Sequence, residues 1–147
     1  MDEIKLDQIL VTSLDRVPAS GGDVMHAMKN SDMGYTGFGE AYFSWVNPGA
    51  VKAWKNHQRM TMNLVVPIGQ VRFVFCSLST ETGFREEILG SARYARVTVP
   101  PGIWFGFQGI AKSSSLVLNI ADIQHDQKEC LRKDTREIPF NWSNKLS

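Results

Sequence analysis

Glycine and proline cut this chain into short segments, and most of those segments have the composition of β-strands. "QILVTSL" (8–14) reads as a strand, followed by the turn "PASGGD" (18–23) and a short amphipathic strand, "DVMHAMK" (23–29). A glycine-rich loop, "NSDMGYTGFG" (30–39), leads to "EAYFSWV" (40–46), rich in aromatic and β-forming residues and closed by "NPG". "AVKAWKNH" (50–57) alternates apolar and polar positions, the mark of a half-buried strand. "TMNLVVP" (61–67) and "QVRFVFCSL" (70–78) are strands joined through Ile68 and Gly69; "RYARVTVP" (93–100) and "SSSLVLNIAD" (113–122) add two more. The pattern amounts to roughly eight to ten short strands at near-regular spacing. Helix signals are weak: "ETGFREEIL" (81–89) has room for a helical turn, and "DQKECLRKD" (126–134) is the best helical candidate. The expected fold is all-β, an antiparallel jelly-roll barrel with little helix, in which two packed sheets limit the exposed edges.

A length of 147 residues suits one domain over 1–147 with a sizeable core. Lysine and arginine are scattered and the formal net charge is +1, so no nucleic-acid partner is expected. No apolar run is long enough to span a membrane, and the charged start, Met-Asp-Glu-Ile-Lys, lacks the apolar stretch of a signal peptide. The expected compartment is therefore the cytoplasm, with Cys76 and Cys130 as free thiols.

The stretch "GAVKAWKNHQRMTMNLVVPIG" (49–69) has a distinctive frame: Gly49, five residues, Lys55, one residue, His57, four residues, Met62, six residues, Gly69. This spacing resembles the first motif of the cupins, which places His, His and Glu where this chain has Lys55, His57 and Met62. The second cupin motif resembles Pro100-Pro101-Gly102, with Phe105 at the position of its histidine. The resemblance implies the cupin jelly-roll, a double-stranded β-helix, with the strand of Lys55 and His57 facing a cavity. One imidazole beside an ammonium and a thioether makes a poor site for a divalent ion, so no metal and no other cofactor is expected.

Longer stretches resemble one metal-independent group of cupins, the enzymes related to dTDP-4-dehydrorhamnose 3,5-epimerase and the dTDP-4-keto-6-deoxyhexose ketoisomerases. "PGAVKAWKNH", "LVVPIGQVRFVF", "VTVPPGIWFGFQGI", "LNIADIQHDQKE" and "IPFNW" carry the likeness, which spans about residues 22–142. It implies proton transfer beside the ketone of a 4-keto-6-deoxy sugar nucleotide, in surface-polysaccharide synthesis, by a homodimer. Such a reaction needs a base, a proton donor and positive charge near the enolate oxygen. By position, His57 is the candidate base or acid, since imidazole titrates near neutral pH. Lys55 stands where the relatives have their first histidine and is the candidate for the enolate oxygen. His125, at the position of the family tyrosine, and Tyr42 are candidates for the second proton transfer. Lys52, Arg59 and Arg72 are candidates for the diphosphate; Trp54, Trp104 and Phe105 are candidates to stack on the base or the sugar. Strand alternation puts Ala53, Lys55 and His57 on one face.

Each candidate has a plainer reading. His125 lies in a polar segment where surface histidines are common, Tyr42 sits in an aromatic strand, and Trp104, Phe105 and Phe107 fit packing at the barrel mouth. The rival functions are a 3,4-ketoisomerase and a non-catalytic cupin that binds a nucleotide sugar or carbohydrate. A metal-dependent dioxygenase conflicts with the residues at the ligand positions. Metal analysis of the purified protein is expected to find iron, nickel and manganese far below one per chain; a stoichiometric metal would overturn that expectation.

Overall fold

The apolar, β-branched runs do form strands. A computed structural model describes residues 6–77 and 83–143. The strands are β1 (Leu10–Ser13), β2 (Arg16–Val17), β3 (Val24–Met25), β4 (Glu40–Val46), β5 (Val51–His57) and β6 (Met62–Ile68). They continue with β7 (Gln70–Cys76), β8 (Phe84–Gly90), β9 (Ala95–Val99), β10 (Trp104–Gly109), β11 (Ser115–Ala121) and β12 (Cys130–Arg132). One antiparallel sheet has the order β1-β9-β6-β11-β4 and the other β12-β5-β10-β7-β8, with β2 and β3 as a separate hairpin. Apart from the β7–β8 pair, neighbours in both five-stranded sheets come from non-consecutive parts of the chain, as in a jelly-roll. Among the described residues no helix is long and apolar enough to cross a membrane.

The inner faces of the two sheets supply one core. Val46, Leu64, Val66, Val71, Phe73, Phe75, Leu89, Val97, Phe105 and Val117 interdigitate there. A second apolar cluster lies on the outer face of the second sheet. It joins Trp54, Val74, Cys76, Trp104 and Ile138, with Phe140 and Trp142 packed against it. The C-terminal segment thus covers that face.

Ala95, Val97 and Val99 of β9 enter the core while Arg96 and Thr98 take the other face, yet all five residues are buried. Arg96 points away from the core and is sealed by the preceding loop, donating to the carbonyls of Ala27 at 2.7 Å and Met33 at 3.3 Å. A buried guanidinium needs acceptors, and this loop supplies them from its backbone.

Both helical expectations fail. Phe84–Gly90, which overlaps 81–89 and runs one residue past it, is strand β8, paired with β7 from Cys76↔Phe84 to Gln70↔Gly90; residues 81 and 82 lie outside the described residues. In 126–134 only Gln127–Glu129 forms a 3₁₀ turn, capped by Asp126, before β12 joins the edge of β5. Unsatisfied backbone groups on strands β7 and β5 outweigh weak local helix preference in both places. Of 23–29, only Val24 and Met25 are in a strand.

Gly69 carries the chain from β6 in the first sheet to β7 in the second within a single residue. Its φ is 86°, and an added Cβ would lie 2.1 Å from Ser115 Oγ. That hydroxyl accepts the N–H of Gln70 at 3.0 Å, so it cannot yield without losing a bond. Gly69→Ala is therefore expected to lower stability by about 1–3 kcal/mol, read from denaturant melts, through strain at positive φ and loss of the corner bond.

Candidate active site

Between the sheets lies a cavity of about 360 Å³. Tyr42 and Ser44 of β4 with Val117 and Asn119 of β11 line one wall; Lys52, Lys55 and His57 of β5 with Phe105 and Phe107 of β10 line the other. The register explains which side chains reach it. Lys55 pairs with Phe105 and Lys52 with Phe107, and residues directly opposite in a ladder share a face.

His57 sits at the end of β5 with 5% of its side chain exposed. Its Nδ1 hydrogen-bonds the carboxylate of Glu129, a buried residue at the end of the 3₁₀ turn. Phe105 stacks against the imidazole, ring centroids 5.9 Å apart. The other Glu129 oxygen accepts the N–H groups of Gln58 at 3.0 Å, Arg59 at 2.9 Å and Met60 at 3.3 Å. Burial pushes the Glu129 carboxyl up, but the Arg59 N–H, the His57 ring and the Met60 N–H together outweigh it and hold the group below its ordinary value. Glu129 is therefore a carboxylate at neutral pH. It engages Nδ1 and leaves Nε2 as the free nitrogen of the ring.

Tyr42 faces the cavity from the opposite sheet, and its hydroxyl accepts from Asn119 Nδ2 at 3.0 Å. Burial raises the phenol above its ordinary value; the Asn119 bond works against this, and the nearby Glu40, Cys130 and Glu129 add to the rise. The phenol therefore keeps its proton at neutral pH and is a donor in waiting.

Comparison with solved structures identifies relatives. The dTDP sugar isomerase of Desulfovibrio desulfuricans G20 superposes with a TM-score of 0.86 and 34% identity, covering 94% of this chain and 92% of that one. The chain belongs to the dTDP-sugar isomerase family. More distant members of the fold group include the sugar 3,4-ketoisomerase QdtA of Thermoanaerobacterium thermosaccharolyticum in complex with TDP. It has a TM-score of 0.73, 12% identity, and coverage of 88% of this chain and 90% of that one. The dTDP-4-dehydrorhamnose 3,5-epimerase of Bacillus anthracis, with TDP and PPi bound, has a TM-score of 0.77 and 14% identity, covering 98% and 90%. At such identities these two share the fold. No protein-family model matches the sequence, and no curated protein matches it.

Within this family frame the structure gathers some sequence candidates and separates others. His57, Lys55, Tyr42, Lys52 and Phe105 all line the cavity, and His125 lies exposed at its rim, its N–H held by Glu40 at 2.9 Å. Arg59 does not line it: its side chain is 63% exposed and pairs with Asp126. Arg72 points to the outer face, buried, ion-paired with Glu86 and lying over Phe140 at 5.0 Å. Trp104 packs in the outer cluster beneath Lys133 Nζ, 5.3 Å from its ring. Trp54 reaches the cavity wall, but its ring belongs to the outer cluster, 5.4 Å from Trp142. Neither tryptophan ring is placed to stack on a ligand. Ala53 borders the cavity, but its side chain packs against the outer cluster and not on the expected face. Gly106 pairs with Ala53 and Phe105 with Lys55, so Trp54 is an extra residue, a bulge that breaks the alternation. The Ala53–Trp54 peptide is cis.

Glu129 and Arg132 were not among the sequence candidates. Arg132 pairs with Lys55 and lines the cavity. A signal for Glu129 did exist: an imidazole used as a base needs a group to orient it, and Glu129 is a carboxylate beside the apolar pair Cys130-Leu131. Among the described residues no group of three or more His, Cys, Asp or Glu side chains is placed to hold a metal ion.

The lowered Glu129 carboxyl has a pH consequence. Its contribution to stability is present above the unfolded value, near 4.5, and is lost as pH falls through the lower folded value. Thermal melts from pH 7 to pH 3 are expected to show a steeper acid loss for the wild type than for Glu129→Gln, which has no charge to lose. Equal slopes would show that Glu129 carries no such term.

Proposed function

We propose that the protein is a nucleotide-sugar epimerase that moves protons on the carbons beside the ketone of a dTDP-4-keto-6-deoxy sugar. The observation that carries this reading is the facing pair: His57, oriented by Glu129, on one wall of the cavity, and protonated Tyr42 on the other. Removing a proton from one face of a sugar ring and returning one to the opposite face requires groups on both sides of it. The likeness to a dTDP sugar isomerase supports the substrate class.

In the proposed reaction, His57 Nε2 takes the proton from the carbon next to the ketone. The C–H electron pair becomes the C=C bond of the enolate, and the ketone oxygen takes the negative charge. Lys55, on the same strand face, places an ammonium near that oxygen and stabilises the charge as it forms. Tyr42 then delivers its proton to the carbon from the other side, inverting it. Phe105 excludes water from one face of His57. Lys52 and Arg132 supply positive charge for the diphosphate. His125, at the rim, meets the nucleotide end rather than the reacting carbon.

The reading extends to a homodimer working without a metal in the cytoplasm, in surface-polysaccharide synthesis. Phe43 and Trp45, 62% and 56% exposed on the outer face of edge strand β4, support an interface between copies. The free thiols of Cys76 and Cys130 fit a reducing compartment.

The test is deuterium incorporation from deuterated water into dTDP-4-keto-6-deoxyglucose, followed by NMR. The wild type is expected to label the carbons flanking the ketone, and His57→Ala to slow labelling by about 10²–10⁴-fold, the range for a positioned general base. Tyr42→Phe is expected to block product formation more than it blocks exchange. Full exchange in His57→Ala would remove His57 from the role. Labelling at one carbon with a 3-keto product would make the enzyme a 3,4-ketoisomerase.

A further inference from the structure

Strand β5 sends Lys52, Lys55 and His57 to the same wall of the cavity, a spacing of three and then two residues that a regular strand cannot produce. The bulge at Trp54 produces it. We propose that Trp54 is a positioning residue: clamped in the outer layer, it holds the bulge that turns Lys52 onto the cavity wall, where with Arg132 it completes a cationic clip for a diphosphate. That the anion is a diphosphate rests on the nucleotide-sugar reading above.

Four observations support the clamp. Trp54 exchanges both backbone hydrogen bonds with Lys133, N–H to Lys133 O at 3.0 Å and Lys133 N–H to Trp54 O at 3.1 Å. Its indole Nε1 donates to Thr135 O at 3.0 Å. Its ring is 1% exposed, with Phe84 and Trp142 packed against it. Across the bulge stands Gly106, where an added Cβ would lie 2.5 Å from Ala53 Cβ and 3.2 Å from Trp142 Cζ2. Glycine at 106 is what lets the doubled strand approach β10.

The clip is available to an anion. Among the described residues, Lys52 and Arg132 have no ion-pair partner. Lys52 Nζ donates to one neutral group, Trp45 O at 2.6 Å, and keeps two further donors. His57 lies beyond the bulge and is held separately, by Glu129 and by the pairing of Cys130 with His57. Loss of the bulge therefore falls on Lys52, and so on binding, while the proton-transfer pair stays in place.

The experiment is calorimetric titration of the full chain with inorganic pyrophosphate, alongside steady-state kinetics on the 4-keto sugar nucleotide. Gly106→Ala is expected to weaken pyrophosphate binding about tenfold, the worth of one charge-assisted contact. KM should rise in parallel, with kcat and its pH profile unchanged. Ala53→Gly added to Gly106→Ala removes the 2.5 Å clash and should restore most of the affinity. In a Lys52→Met background Gly106→Ala should add no further loss, because the two changes act on one interaction. Should Gly106→Ala fail to fold, Trp54→Phe carries the test: it keeps a ring, loses the Thr135 bond, and is expected to weaken pyrophosphate about threefold by the same route. The proposal is overturned if affinity is unchanged in these variants, if kcat falls with the affinity, or if the Lys52→Met and Gly106→Ala losses add. A wild type that binds no pyrophosphate overturns the clip and leaves the deuterium test standing. Pyrophosphate binding without any deuterium exchange removes the epimerase reading and leaves the clip.

Discussion

A carboxylate taken out of water must be surrounded by donors, and the end of β5 and the turn after it are arranged around meeting that demand for Glu129. The turn after β5 supplies three N–H groups, from Gln58, Arg59 and Met60, and His57 supplies its ring nitrogen. The arrangement serves two ends. It anchors the 3₁₀ turn and β12 against the edge of β5, and it fixes which nitrogen of His57 is left for chemistry. The local fold and the tautomer depend on the same oxygen atoms.

The second sheet divides its labour by face. Inward it presents Lys52, Lys55, His57, Phe105 and Phe107, a mixture of charge and ring. Outward it presents Trp54, Val74 and Trp104 under the C-terminal segment, a mostly apolar layer. The bulge at Trp54 links the two, since the residue gained on the outer face changes which residues reach the inner one. Aromatic weight at a distance from the cavity thereby sets its charge pattern. Facing it, the first sheet contributes Tyr42 and Asn119, so the groups able to move protons stand on different sheets and their separation is set by core packing between them.

Much of the fold was legible. The strands at 40–46, 50–57, 61–67, 70–78 and 113–122 appear within a residue or two of their expected bounds, because strong apolar runs between turn residues leave few alternatives. The stretches read as helical, 81–89 and 126–134, are short and polar, and their strands exist through pairing with β7 and β5. Local sequence carries no record of a partner's free edge. In the site, His57, Lys55 and Phe105 stand at motif positions and line the cavity, whereas Tyr42 lies outside both motifs and Lys52 was on the opposite face by alternation. Trp54 turned outward because a bulge shifts the faces of β5, while Arg59 falls in the turn after that strand and Arg72 and Trp104 take the outer face of theirs, none of which spacing along the chain reveals.

The sequence alone determined the short-strand architecture, the sharing of one strand face by Lys55 and His57, and ligand positions poorly suited to a metal, because these follow from residue type and spacing along one segment. Tertiary structure decided the partner of His57, which lies 72 positions away in Glu129, and the placing of Tyr42 on the opposite wall. It also decided that the Lys52 side chain joins Lys55 at the cavity while the Ala53 side chain packs against the outer cluster. Each of these depends on a contact between segments far apart in the chain, or on a register slip against a neighbouring strand. Such contacts are settled by packing and backbone pairing across the whole fold, and no local pattern encodes them.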